Sequence, residues 1–475
     1  MLLRSFYDEK LAQASYLVGC QSAGKAIVID PARNIEPYLK MAEENGLVIT
    51  GVAETHIHAD FVSGALEIAA RANATVYQSG LGGEDGTYCS LSGINQVFLN
   101  DQDRITIGNV TLEVMHTPGH TPEHISYIVT DGAKANQPIG IFSGDFIFAG
   151  DVGRPDLLEK AVGVANASQE GARQMFRSVQ RIKTLGDYLQ IWPGHGSGSA
   201  CGKALGAIPS TTLGYEKSFN PAFSYDNEEE FISYLLADQP EPPAYFSIMK
   251  KVNGEGADLL SDLAPNKKMG ASRAKINEVL NENGILIDVR SADQFASGHI
   301  PGSINIPYEK SFLNWTGSLI QYDCPLYLIA EDHQLVTLVP DLHSIGLDKI
   351  KGWFSTKAVQ IYEADGGSIE TYEEAAPSKL IEDVKNQRVT LIDVRNLAER
   401  KTNHIDYSVH IVLGDLPKRI AEISTDKPIV IHCASGKRSA IATSILQANG
   451  IKNVSNLRGG IIEWELGNCP TVIMN

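Results

Sequence analysis

Short apolar runs, each closed by a polar residue, recur through the first ~200 positions and predict strands alternating with short helices. Residues 25–30 form a β-rich run that ends at Pro31. Residues 35–45 carry helical spacing and stop at Gly46, as a left-handed cap would require. Residues 47–53 read as a strand, 65–72 as a helix, and 112–115, 139–142 and 190–192 as further strands. A polar side chain able to bind metal follows four of these strands: His56, His116, Asp145 and His195. Side chains at strand ends and on the loops beyond them converge on one edge of a sheet. A layered α/β or αββα arrangement fits this alternation.

The pattern changes after position 215. Residues 216–265 read as a bridge, with an acidic run at 226–230 and the proline-rich Gln239-Pro240-Glu241-Pro242-Pro243. Beyond it the chain repeats itself. Ile285-Leu286-Ile287-Asp288-Val289-Arg290 returns as Thr390-Leu391-Ile392-Asp393-Val394-Arg395, and His299-Ile300 as His404-Ile405. A period of roughly 100 residues is a domain duplication rather than a solenoid. Two small α/β domains with mostly parallel sheets are expected, at 266–365 and 370–475, behind an N-terminal domain at 1–215.

Bulk properties narrow the setting. A chain of 475 residues exceeds one core. The net charge of −17 speaks against nucleic acid or an anionic membrane as partner. The six cysteines are scattered and form no Cys-X-X-Cys pair, so neither a disulfide framework nor a zinc–thiolate site is expected, and a reducing cytoplasm is the simpler location. No apolar run is long enough for a signal peptide or a membrane span.

Candidate chemistry gathers in two places. The first is the histidine-rich N-terminal third. Thr55-His56-Ile57-His58-Ala59-Asp60-Phe61 has the spacing of a two-metal site but ends in a residue that cannot bind metal. His58 and Asp60 are candidates either for ligation or for hydrogen bonding to ligands. His120 and His124 read as structural. Cys201, six residues past His195 in a glycine-rich run, is either a buried small residue or a thiol that carries sulfur. Arg154 orients an anionic substrate or holds its own loop through Asp156. The second place is Cys433-Ala434-Ser435-Gly436-Lys437-Arg438-Ser439, a strand end, tight loop and helix start. Backbone N–H groups at such a helix N-terminus favour anions, and Lys437 and Arg438 add positive charge. Aligning Pro325 with Pro428 puts Ala330 opposite Cys433, followed by the acidic Glu331-Asp332.

These runs, with Asp30-Pro31 and Gly153-Arg154-Pro155-Asp156, resemble the metallo-β-lactamase superfamily over residues 1–215, and within it the persulfide dioxygenases. The C-terminal repeats resemble rhodanese domains, the second with an active loop and the first without its cysteine. The order resembles persulfide dioxygenase–rhodanese fusion proteins. That resemblance implies an αββα sandwich with one Fe(II) per N-terminal domain on His56, His116 and Asp145, while His195 and Asp60 occupy the places where relatives hold a second metal. It implies a thiol persulfide and O2 as substrates, sulfite as product, and sulfur transfer by Cys433 to give thiosulfate. The metal and the carrier thiol stay open, since the same donors would hold zinc or manganese, and so does a homo-oligomer. The rival expectation is a binuclear zinc thioester hydrolase of glyoxalase II type with rhodanese domains as sulfur carriers or sensors.

Overall fold

The computed structural model describes residues 1–83, 87–203 and 205–473. It divides into two compact units, Met1–Asp262 with His343–Gly346, and Leu263–Leu342 with Leu347–Asn475. Among the described residues no helix is long and apolar enough to cross a membrane.

The first unit is a sandwich of two six-stranded sheets. One runs in chain order from Leu2–Asp8 to Gln96–Leu99. Its first three strands pair antiparallel and the rest parallel. The second is mostly antiparallel, with Gly140–Gly144 beside Gln190–Pro193 as its parallel pair. The inner faces meet in one core, where Tyr16, Val18 and Ile29 of the first sheet oppose Leu112, Tyr127 and Phe142 of the second. Helices cover the outer faces. Glu36–Glu44 and Ala65–Ala72 bury Tyr38, Ala42 and Ile68 on the first sheet. Ala167–Ile182 and Glu228–Leu236 bury Met175, Val179, Phe231 and Leu235 on the second. The αββα expectation is met.

The segment read as a bridge is not a linker up to residue 262. Asn227 caps its helix Glu228–Leu236 through the N–H groups of Glu229 and Glu230, and three glutamates occupy the first turn, where they complement the helix dipole. That helix then seals the outer layer of the sandwich. Charge at its solvated start hid the apolar face of Phe231, Ile232 and Leu235.

The second unit holds two parallel five-stranded sheets with the same strand order. The repeated Asp-Val-Arg has a mechanical role in both. The Asp288 carboxylate accepts from Arg290 Nε and Nη2, and that guanidinium also donates to the Gly298 carbonyl at 3.0 Å. Asp393 and Arg395 make the same clasp, closed on the Asn403 carbonyl at 2.8 Å. Asn403 thus departs from glycine without losing the contact. The strand registers Asp288↔Ile329 and Asp393↔His432 make Ala330 the structural counterpart of Cys433.

Candidate functional site

Six buried donors meet at one edge of the sandwich. His56 follows the strand Val48–Ala53, Asp145 follows Gly140–Gly144, and His195 follows Gln190–Pro193. His120 comes from the turn between Val110–His116 and Ile125–Asp131. The ligand atoms of His56, His120 and Asp145 lie within 4.8 Å of one another, as do those of Asp60, His195 and Cys201. Asp145 joins the two groups: its Oδ2 is 3.4 Å from His120 Nε2 and 3.9 Å from His56 Nε2, and its Oδ1 is 3.6 Å from His195 Nε2.

The expectation for His116 is overturned. It stays half-buried at the end of its strand, its N–H bonded to Asp101 and its ring Nε2 2.9 Å from the Pro122 carbonyl. The imidazole that reaches Asp145 is His120, for which the sequence pattern predicts a structural role. A signal for it was present, because Pro118-Gly119-His120 repeats the Pro193-Gly194-His195 of the other turn. Both glycines sit where a side chain has no room. A Cβ on Gly119 would lie 2.6 Å from the Met175 Cα, and one on Gly194 would lie 2.7 Å from Asp145 Oδ1.

Hydrogen bonds set the free nitrogen of each ring. His120 donates from Nδ1 to the Arg154 carbonyl at 2.9 Å, and His195 from Nδ1 to the Ala12 carbonyl at 3.0 Å. Thr55 donates its hydroxyl to Asp30 and so accepts from His56 Nδ1 at 2.9 Å. In all three rings Nε2 is left for the cluster. Burial, aided by neighbouring imidazoles, holds His56 well below the usual histidine range, and burial also lowers His120. Neutral rings of this kind are the form that ligates metal. His124 is also neutral, pushed down to about 3 by burial. It accepts the Asp145 N–H on Nε2 and donates from Nδ1 to Thr117, so it shapes the Asp145 turn rather than joining the cluster.

His58 lies beside His56, with ring centroids 4.3 Å apart, and its buried Nδ1 has no hydrogen-bond partner. Its Nε2 lies 3.1 Å from both Asp30 Oδ1 and Glu54 Oε2. Burial opposes its charge, but the two carboxylates overcome that and hold it well above the ordinary value. Its ring packs on Phe61 with centroids 4.5 Å apart. Asp60 pairs with His195 at 3.2 Å. Burial, with Asp145 and Asp60 as negative neighbours, raises the Cys201 thiol well above its usual range, which keeps it protonated. Arg154 is fully buried and bidentate on Asp156 at 2.7 and 2.8 Å, with further bonds to the Ala200 and Pro240 carbonyls. Its guanidinium is engaged in holding that loop. A cavity of about 320 Å³ is bordered by His195, Gly196, Tyr7 and Trp192.

The donors fit a metal ion. Both Asp145 oxygens and both Asp60 oxygens are buried without a hydrogen-bond partner, a costly arrangement unless a cation or ionised ring compensates.

The second site lies in the other unit. Cys433 follows the strand Ile429–His432, and Gly436, at φ +92°, turns the chain into the helix Lys437–Ala448. The Gly436 N–H points at Cys433 Sγ from 3.2 Å, and the Ser439 hydroxyl lies 3.4 Å away. Arg438 forms a bidentate pair with Glu399 at 2.6 and 2.7 Å, and Lys437 pairs with Glu309 at 2.5 Å. In the first copy Ala330 is followed by Glu331, whose side chain caps a short 3-10 turn at Asp332–Gln334. That loop therefore offers neither a thiol nor a glycine turn.

Comparison with known proteins agrees with this division. A metallo-beta-lactamase superfamily model matches residues 9–195, and a rhodanese-like domain model matches 272–338 and 376–466. A crystal structure described as a metallo-beta-lactamase from Staphylococcus aureus is 46% identical, covers 75% of this chain and 99% of its own, and superposes with a TM-score of 0.67. A hydroxyacylglutathione hydrolase from Rhodospirillum rubrum is 32% identical over 38% of this chain, which spans 60% of that protein's length. The persulfide dioxygenase ETHE1 of Mus musculus is 27% identical over 48% of this chain and 78% of its own.

Proposed function

Since the chain belongs to the metallo-beta-lactamase superfamily and carries two rhodanese-like domains behind that domain, we propose that it oxidises the terminal sulfur of a thiol persulfide and transfers sulfur to the product. The observation that carries the first half is the grouping of His56, His120 and Asp145, two imidazoles and one carboxylate within 4.8 Å of one another, while His58 Nε2 is held between Asp30 and Glu54. This is the donor set of the facial triad that non-haem Fe(II) oxygenases use. Two-metal hydrolysis would call on more donors. Likeness to the persulfide dioxygenase of Mus musculus supports the same reading.

Iron bound by these three residues would supply the open positions at which O2 and a sulfur anion react. The chain's own residues do the rest. The Arg154 carbonyl and Thr55 fix the ring tautomers. Asp145 brings the negative charge, and the buried setting excludes bulk water. The balanced reaction takes R–S–SH, O2 and water to R–SH and sulfite, with two protons released. At the second site the Cys433 thiolate attacks the outer sulfur of another R–S–SH. The S–S bond breaks, R–S⁻ leaves and takes up a proton, and Cys433–S–SH forms. Sulfite then removes the outer sulfur as thiosulfate and restores Cys433. The Gly436 N–H and the Ser439 hydroxyl steady the sulfur anion.

The test is O2 uptake by apoprotein loaded with Fe(II), with zinc as the control. Persulfide-dependent uptake with iron and none with zinc is the expected result. No uptake with any persulfide would remove the reading.

One observation favours a second reading. Cys201 stands beside Asp60 and His195, so the second metal position retains three donors despite Phe61. Thioester turnover by protein holding two equivalents of zinc, without O2, would support a hydrolase of the glyoxalase II kind.

A further inference from the structure

The rhodanese-like copy that lacks a cysteine does not stand apart from the active loop. The helix Lys437–Ala448 packs on the first copy, where Ser444 accepts the Asn305 N–H at 3.0 Å, and on the segment that opens the second copy, where Gln447 donates to the Thr371 carbonyl at 2.9 Å. Beside this junction lies a cavity of about 530 Å³. Ser435, Gly436, Lys437 and Arg438, which follow Cys433, form part of its wall. Ile306, Pro307 and the half-buried Trp315 of the first copy form another part.

Size and charge both argue against a small inorganic anion as the occupant. Clefts of roughly 300–1,000 Å³ hold drug-sized molecules, whereas thiosulfate has five heavy atoms. The two lining cations are already neutralised, Lys437 by Glu309 and Arg438 by Glu399. Asp293 and Glu374 line the same cavity and find no further cation among its described lining residues. The wall therefore carries an excess of negative charge next to an indole. An aromatic face and unneutralised carboxylates together suit an ammonium group on an organic body.

We infer that the first copy seats the organic part of the sulfur donor, and that the donor at Cys433 is the persulfide of a low-molecular-weight thiol bearing an ammonium group. Trp315 and Asp293 are then specificity residues contributed by a copy that performs no chemistry. The inference rests on the sulfur transfer proposed for Cys433. The transfer step is unchanged: the donor's S–S bond breaks, and its thiolate departs into the cavity as Cys433–S–SH forms.

The experiment uses the full chain and three donors: glutathione persulfide, its N-acetyl derivative, which lacks the ammonium, and thiosulfate with cyanide as acceptor. The wild-type protein should show a KM for the acetylated donor about tenfold above that for glutathione persulfide, a difference worth ~1.4 kcal/mol. Trp315→Ala should raise the KM for glutathione persulfide about tenfold and leave kcat within about twofold, with thiosulfate turnover unaffected. Asp293→Asn should erase the discrimination between the two persulfides. Because Asp293 is exposed, that variant keeps the test valid even where Trp315→Ala fails to fold. Equal KM values for both persulfides, or a parallel loss with all three donors, would overturn the inference. A folded protein that turns over none of the donors would instead remove the reading of Cys433 itself.

Discussion

The two sites are built in opposite ways. The Cys433 loop is one contiguous stretch, from Cys433 to Ser439, and its parts are placed by a strand end and the start of a helix. The donor cluster is assembled around Asp145 from separate turns, one carrying His56 and Asp60, one His120, and one His195 and Cys201. A contiguous site concentrates its function in one atom, whereas a convergent site divides it among donors that depend on distant packing.

That contrast can be broken at several points. The largest effect is expected for Cys433→Ser, with sulfur transfer to sulfite lower by ~10³ or more because no neighbouring side chain replaces the nucleophile. The measurement is thiosulfate formed from persulfide and sulfite, and retention of more than a tenth of the rate would contradict a one-atom site.

Next in size is a pH effect on the second unit. Burial pushes His432, next to Cys433, down to about 4, while Arg395 nearby also disfavours its charge. The unfolded chain takes a proton at this residue below about pH 6.5, and the folded chain does so only near 4. Between those values the unfolded state binds more protons, so stability falls as pH falls, by on the order of 3 kcal/mol across the window. Asp393, held down to about 2 chiefly by Arg395 against the effect of burial, extends the same trend at lower pH. Denaturant midpoints of the full chain between pH 7 and 4 would show this, and His432→Asn should flatten the upper part of the curve.

For the convergent site, His120→Ala should weaken metal binding by about a hundredfold or more, read by metal content after dialysis. The smallest effect is expected for His116→Ala. Metal content should be unchanged and stability lower by about 1 kcal/mol, the worth of the ring's bond to the Pro122 carbonyl. If the two histidine variants behaved alike, the assignment of His120 would fail.

The same contrast explains what was legible in the sequence. The strands feeding the sandwich, the duplication, the Ala330 that stands opposite Cys433 and the Cys433 loop are all local patterns, and each is found where its residues predict. His56, Asp145 and His195 were legible because each closes a strand. His120 was legible only through the echo of Pro193-Gly194-His195 in Pro118-Gly119-His120, because the close approach of Gly119 to Met175 that places it is not reported by the strand pattern. The holding of His58 by Asp30 and Glu54 was hidden for a similar reason: the segment carrying Glu54 and His58 must meet the one carrying Asp30 before the clamp exists. The role of Trp315 depends on how one copy faces the other, which periodicity does not encode.

One contact described for the duplicated sheets bears on how such a chain can change over time. Arg395 grips position 403 by its carbonyl, a group every amino acid possesses, and also by the Asn403 Oδ1 at 3.1 Å. A replacement at 403 therefore loses the side-chain bond but keeps the carbonyl grip, under selection that keeps Arg395 and Asp393 fixed. A saturation library should accept many residues at 403 and very few at 395, so that a site variable in sequence is mechanically constant.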